Sequence, residues 1–141
     1  MIRPIYDQAW SKPLYEWLQP RANIEVDDYT TIGFLYEWDN IVGVILFCGY
    51  DGTNIYVHIA SDDPKHVQRR FIKLMFDYIF NQAKCQRVTA TCTAQNKRSI
   101  KIIEGVGFKK EGYLKNFLKK HNKLYDIELN GMQKEDCRRD I

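Results

Sequence analysis

A mixed α/β (α+β) architecture, with a central sheet of about six to seven strands flanked by helices, is what this 141-residue sequence predicts. Three observations carry that reading. Between Thr31 and Ala60, three β-branched and aromatic runs are separated by turn signals, the pattern of an antiparallel meander. An amphipathic helix then leads into the alternating run Arg87–Thr93, so strand, helix and strand follow in the order of a crossover between parallel neighbours. Finally, Asn96 to Gly112 reads as a capped helix, a glycine stop and a strand that opens on an aromatic.

In chain order, Met1–Tyr6 reads as a short strand and Asp7–Leu18 as a helix with Trp10, Leu14, Trp17 and Leu18 near one face. Pro13 weakens that helix and Pro20 is expected to end it. Ala22–Thr30 is polar and acidic, a loop or a loose second helix. The meander is Thr31–Trp38, a turn at Asp39-Asn40, Ile41–Tyr50, a hairpin signal at Asp51-Gly52, and Asn54–Ala60. Asp63-Pro64 reads as the start of the next helix, an acidic N-cap followed by proline at the first helical position. Val67, Phe71, Leu74, Met75, Tyr78 and Ile79 form its apolar stripe. Asn96 caps the following helix, Ile100, Ile102, Ile103 and Val106 supply its buried face, and Gly107 is its left-handed stop. Phe108 opens a strand toward Leu118, His121–Lys123 is a turn, and Leu124–Met132 is a closing strand, expected at an edge.

Composition narrows the function classes. The length suits one domain over residues 1–141. A net charge of +3, from 21 basic and 18 acidic residues, is too balanced for a dedicated nucleic-acid binder. Cys48, Cys85, Cys92 and Cys137 form no Cys-x-x-Cys pair, and no two histidines stand at zinc spacing, so no metal is expected. The chain shows no apolar signal region and no run near the ~20 residues that span a bilayer. The expectation is a cytoplasmic protein with free thiols and no membrane association.

The run from Arg87 to Gly112 (strand, Asn-x-x-Ser, helix, Gly-Phe, Glu-Gly) and the closing Tyr125-Asp126-Ile127 through Gly131-Met132 resemble the GNAT superfamily of acyl-CoA-dependent N-acetyltransferases. The resemblance is to the RimJ/RimL-like branch, and the strand His58-Ile59-Ala60 and the helix ending Asp77–Phe80 fit it too. It covers roughly residues 54 to 135. It implies acetyl-CoA as cosubstrate and a primary amine as acceptor: a protein N-terminus, a lysine or a small amine. It also implies a strand, Tyr56 through Ile59 to Ala60, that holds the pantetheine arm through its backbone. The pyrophosphate would lie at Lys65, His66, Val67, Gln68, Arg69 and Arg70, with Asn96 against the cofactor arm and Ser99 as the acid that protonates the departing thiolate.

The sequence departs from that pattern in two places. The phosphate segment Asp63–Gln68 lacks glycine, and an N-capping Asp63 would occupy the amides and add negative charge where an anion belongs. Lys65, His66, Arg69 and Arg70 crowd the same turns, read either as an anion site or as a solvated basic face. The base is open: the branch's usual glutamate position matches Leu118, another branch's tyrosine position matches Ile103, and Glu111, His58 or Tyr113 are the candidates for a water relay. His58 also reads as a satisfied strand histidine, Glu111 as a partner of a nearby lysine, and Ser99 as a helix-surface serine.

Two alternatives stand beside the enzyme. One is a GNAT-fold protein without catalysis that binds a protein partner, such as a phage virion or assembly component, its aromatics forming a partner surface. The other is nucleic-acid binding through Lys115, Lys119, Lys120 and Lys123 with Phe117 interleaved, placed last by the modest charge. A homodimer paired through the closing strand is a further expectation.

Overall fold

The computed structural model describes residues 2–22, 24–36, 38–63, 65 and 68–137. Its elements are β1 (Arg3–Ile5), α1 (Ser11–Ala22), β2 (Tyr29–Tyr36), β3 (Asn40–Cys48), β4 (Asn54–Ser61), α2 (Arg69–Phe76), β5 (Arg87–Thr93), α3 (Lys97–Val106), β6 (Lys109–Lys120) and β7 (Lys123–Gln133). The seven strands form one mixed sheet in the order β1-β2-β3-β4-β5-β7-β6. Every pairing is antiparallel except β4 with β5, which run parallel across the α2 crossover as the sequence predicts.

Strand alternation divides the apolar side chains between two faces. On one, Phe34, Phe47, Val57, Val88 and Ala90 pack against Phe71, Met75 and Ile79 behind α2 and Ile102, Ile103 and Val106 of α3. On the other, α1 presses Leu14 and Leu18 onto Val44, Leu46 and Ala60. Close approach of α1 requires Gly33: a Cβ there would lie 2.4 Å from a Leu14 methyl. The turns follow their residues. Asp51 Oδ1 accepts the amides of Thr53 and Asn54 at 2.9 and 2.7 Å, and Gly52 has φ 92°. Asn96 Oδ1 accepts the Ser99 amide at 3.2 Å, and Gly107, at φ 116°, stops α3.

Of the two readings of the segment before β2, the loop is the one seen over residues 24–28. Four expectations are corrected. Pro20 lies inside α1 and does not end it; only two residues follow, so the lost hydrogen bond falls in the final turn. The first hairpin turns at Trp38 and Asp39, both at positive φ, and Asn40 already belongs to β3. α2 starts at Arg69, with Gln68 as its N-cap. Asp63 instead closes its own tight turn, Oδ1 accepting the Lys65 amide at 2.9 Å, so it does not cap the helix; Pro64, His66 and Val67 lie outside the described residues. Lastly, β7 is an inner strand between β5 and β6, and the edge is β6.

Past Phe76, α2 widens into a π-helical turn over Asp77–Gln82, closed by the Ala83 amide on the Tyr78 carbonyl at 2.8 Å. No described helix is long and apolar enough to cross a membrane. Among the described residues, one buried side chain is left without hydrogen bonds: Asn130 on β7, fully buried. Removing an unpartnered amide in favour of an isosteric apolar group relieves its desolvation. Asn130→Leu is therefore expected to stabilise the fold by about 1 kcal/mol, and Leu14→Ala to destabilise it by about 2–5 kcal/mol, both read by denaturant unfolding.

Candidate active site

The parallel pair does not run its full length. Pairing of β4 with β5 begins at Asn54↔Arg87 and ends at Val57↔Ala90. Beyond that point β4 continues to Ser61 bonded to β3 alone, and β5 continues to Thr93 bonded to β7 alone. The strands part at their C-terminal ends, and the β5-facing backbone edge of His58–Ser61 is left without a strand partner. Unpaired backbone amides and carbonyls are obligate hydrogen-bonding groups, so this edge offers an extended ligand the contacts of a further strand.

One side of the parting opens into a cavity of about 290 Å³ bordered by Ala60, Ser61, Asn96, Ser99 and Ile102. Here the start of α3 meets the end of β4. Ser99 is buried within the first turn, its side chain bordering the cavity. Arg21 Nε donates to Asp62 Oδ1 at 3.1 Å, Arg98 Nη1 donates to the Asp62 carbonyl at 3.0 Å, and Asn96 Nδ2 reaches the Arg21 carbonyl at 3.5 Å. These bonds tie α1, the end of β4 and the start of α3 across the cavity mouth. They also bring two guanidinium groups to the N-terminus of α3, where backbone donors already favour an anion.

The other side opens into a cavity of about 340 Å³. Tyr56, His58, Thr91 and Thr93 border it, with Leu114, Phe117, Leu118, Ile127 and Leu129 as its apolar part. Burial pushes the His58 imidazole down to about 4, leaving it neutral near pH 7 and a weak base, with a lone pair that can accept a hydrogen bond. Burial, with Glu128 adding to it, pushes the neighbouring Cys92 thiol up to about 11, so Cys92 is not a nucleophile at neutral pH.

The remaining sequence candidates fall elsewhere. Glu111 is bound in bidentate fashion by Arg87 at 3.0 and 2.6 Å, at the start of β5, the end remote from the parting; that partner holds its carboxyl below the ordinary range. Tyr113 stands half-exposed against the Lys110 ammonium, 3.6 Å from its ring centre, and borders neither cavity. Tyr56 still lies within the paired stretch of β4, so its side chain, 40% exposed, contributes to the second cavity in place of its backbone to the first. Ile59 turns its side chain into the core, leaving only its backbone at the parting. Arg70 is taken by the Ile2 carbonyl and by Gln68 Oε1, so both residues serve the α2 entry; Lys65 and Arg69 are exposed. His66 and Val67 lie outside the described residues.

Sequence reading missed Arg21, Asp62 and Arg98 around the first cavity. Arg98 did leave a signal: a cation in the first turn of a helix opposes the dipole unless something negative sits there. Thr91 and Thr93 were legible from alternation along β5.

A mixed sheet opened between two parallel neighbours, with a helix N-terminus beside the gap, has the architecture of the N-acetyltransferases. The Acetyltransferase (GNAT) domain model matches residues 31–129, and the chain belongs to that family. Among curated proteins it is 25% identical over 96 residues to the uncharacterized N-acetyltransferase YnaD of Bacillus subtilis (65% of this chain, 56% of that protein). It is 27% identical over 105 residues to p20 of Bacillus licheniformis (71% and 59%), so the chain spans under two thirds of either relative. The prophage-derived YokL of B. subtilis is 27% identical over 126 residues (86% and 70%). Among solved structures, the fold is similar to a mutant of the spermidine N-acetyltransferase SpeG of Vibrio cholerae (TM-score 0.71, 14% identity, 94% of each chain). It is also similar to a GNAT acetyltransferase of Bacillus anthracis (TM-score 0.61, 22% identity, 74% of this chain and 66% of that one).

The neutral His58 sets a pH dependence. An imidazole whose folded pKa lies below its unfolded value binds fewer protons in the native state than in the unfolded one. Its stabilising effect is whole above about pH 6.5 and is lost as pH falls toward 4. Between pH 7.5 and pH 5 the wild type is expected to lose more unfolding free energy than His58→Asn, by on the order of 1 kcal/mol in paired urea titrations, partial solvent access lessening the effect.

Proposed function

We propose that this chain is an acetyl-CoA-dependent N-acetyltransferase of the RimJ/RimL-like branch that acts on a primary amine. The observation that carries this reading is the parting of β4 and β5 beyond Val57 and Ala90, with a cavity on each side of it. The first cavity suits the cosubstrate and the second the amine. The residues present fit acetyl-CoA: the free edge of His58–Ser61 matches a pantetheine amide chain, and Lys65 and Arg69, exposed before and at the start of α2, supply positive charge for phosphate in place of the missing glycines.

Acetyl-CoA supplies an activated acyl carbon and a thiolate leaving group. The chain's own contribution is to place and to move protons. Asn96 fixes the first turn of α3 and with it the buried Ser99, whose hydroxyl donates a proton to the departing sulfur and is reprotonated from solvent. The neutral His58, a weak base, orients water that carries the proton of the attacking amine to solvent through the second cavity. One protein similar in fold is named for spermidine and another for phosphinothricin, so the acceptor is set by the second cavity and not by the fold.

Millimolar acetyl-CoA is expected to raise the thermal midpoint by several degrees through linkage, about 3 °C or more, and Arg69→Glu to abolish most of that rise. Ser99→Ala is expected to retain the shift while slowing acetyl transfer roughly 10- to 100-fold. An unchanged midpoint in saturating acetyl-CoA would instead favour a GNAT-fold binding or structural protein, a reading to which the prophage-derived relative also lends itself.

A further inference from the structure

We propose that the second cavity selects an amine carried on an uncharged, apolar body, of the arylalkylamine class, and discriminates against polycationic amines. This rests on the acetyl-transfer reading of the same cleft. The argument begins in β6. Its register against β7 jumps from Leu114↔Ile127 to Leu118↔Tyr125, so four residues of β6 span what two residues of β7 span. Asn116 takes φ 51° in that bulge, and its amide is held by Asp126 Oδ1 at 2.9 Å. The bulge brings Phe117 and Leu118, adjacent in sequence, to the same cavity as Leu114. Phe117 stays 67% exposed there, a large apolar ring held at an opening with no described side chain covering it.

No acidic side chain borders this cavity among the described residues. The surrounding carboxylates are otherwise occupied or elsewhere: Asp126 binds the Asn116 amide, Glu111 is neutralised by Arg87, Glu25 lies in a separate depression with Glu16 and Asp27, and the buried Glu128, between the lining residues Ile127 and Leu129, alternates to the opposite face of β7. A second ammonium group entering beside the reacting one would lose its water without gaining a counter-charge. An aromatic or branched aliphatic body would instead bury its surface on Leu114, Phe117, Leu118 and Leu129, with one amine directed at His58.

The experiment compares 2-phenylethylamine with spermidine, using initial rates of thiol release from acetyl-CoA and, separately, calorimetric binding of each amine. The expected kcat/KM for 2-phenylethylamine exceeds that for spermidine by roughly tenfold or more. Phe117→Ala should weaken the aryl substrate with the loss falling mainly on KM, and Leu118→Glu should move the preference toward spermidine. Equal or better use of spermidine by the wild type overturns the proposal. If acetyl-CoA stabilises the protein but 2-phenylethylamine neither binds nor reacts, the proposal fails while the acetyl-transfer reading stands. If acetyl-CoA does not bind, that reading fails and the amine titrations decide the cavity's preference: tighter binding of 2-phenylethylamine supports it, and none overturns it.

Discussion

Everything around the cleft depends on two parallel strands that begin paired and then separate. Separation carries a penalty, because the inner edges of β4 and β5 give up ladder hydrogen bonds that a closed sheet would make. The fold tolerates it because each strand is held on its other side. β4 is bonded to β3 from Gly43↔Ser61 to Cys48↔Tyr56, and β5 is bonded to β7 along its whole length. Behind the gap, α2 and α3 fill the apolar face with Phe71, Met75, Ile102 and Ile103. The opening is therefore a rigid feature of a well-packed sheet and not a loose end.

The first cavity is held by polar bonds where the second is shaped by packing. Asp62 receives one arginine from α1 and one from α3, and Asn96 caps α3 while reaching back to α1. A single short segment after β4 thus joins three elements that are distant in sequence. On the other side, nothing but strand alternation and the β6 bulge decides which side chains face the opening.

Most of the architecture was legible in the sequence. The meander, the crossover, the Asn96 cap and the Gly107 stop each have a local cause, so periodicity and turn residues reveal them. The departures came where tertiary context outweighs a local signal. Asp63-Pro64 carries a good N-terminal signature, yet Ser61 Oγ and the Lys65 amide engage Asp63, and α2 waits until Arg69. β7 looks like a terminal edge but is inserted beside β5, because a hairpin can dock either of its strands inward and strand composition does not say which. The site was legible only in part. Asn96, Ser99 and His58 border cavities, and Glu111 pairs with Arg87 where the sequence offered a nearby lysine, because that pairing joins residues 24 positions apart across three strands. The Arg21–Asp62–Arg98 set spans even longer separations, and no spacing rule reaches it.

The order of the last two strands also bears on how the chain behaves at high concentration. An exposed strand edge invites another molecule to extend the sheet. β6, twelve residues long, would be such an invitation, but it carries Lys109, Lys110, Lys115, Lys119 and Lys120 and is interrupted by the bulge at Asn116. Like charges brought into register and a kinked backbone both disfavour sheet-to-sheet growth. The lysines that a reader of composition would assign to nucleic acid thus have a sufficient role as gatekeepers against fibrous self-association.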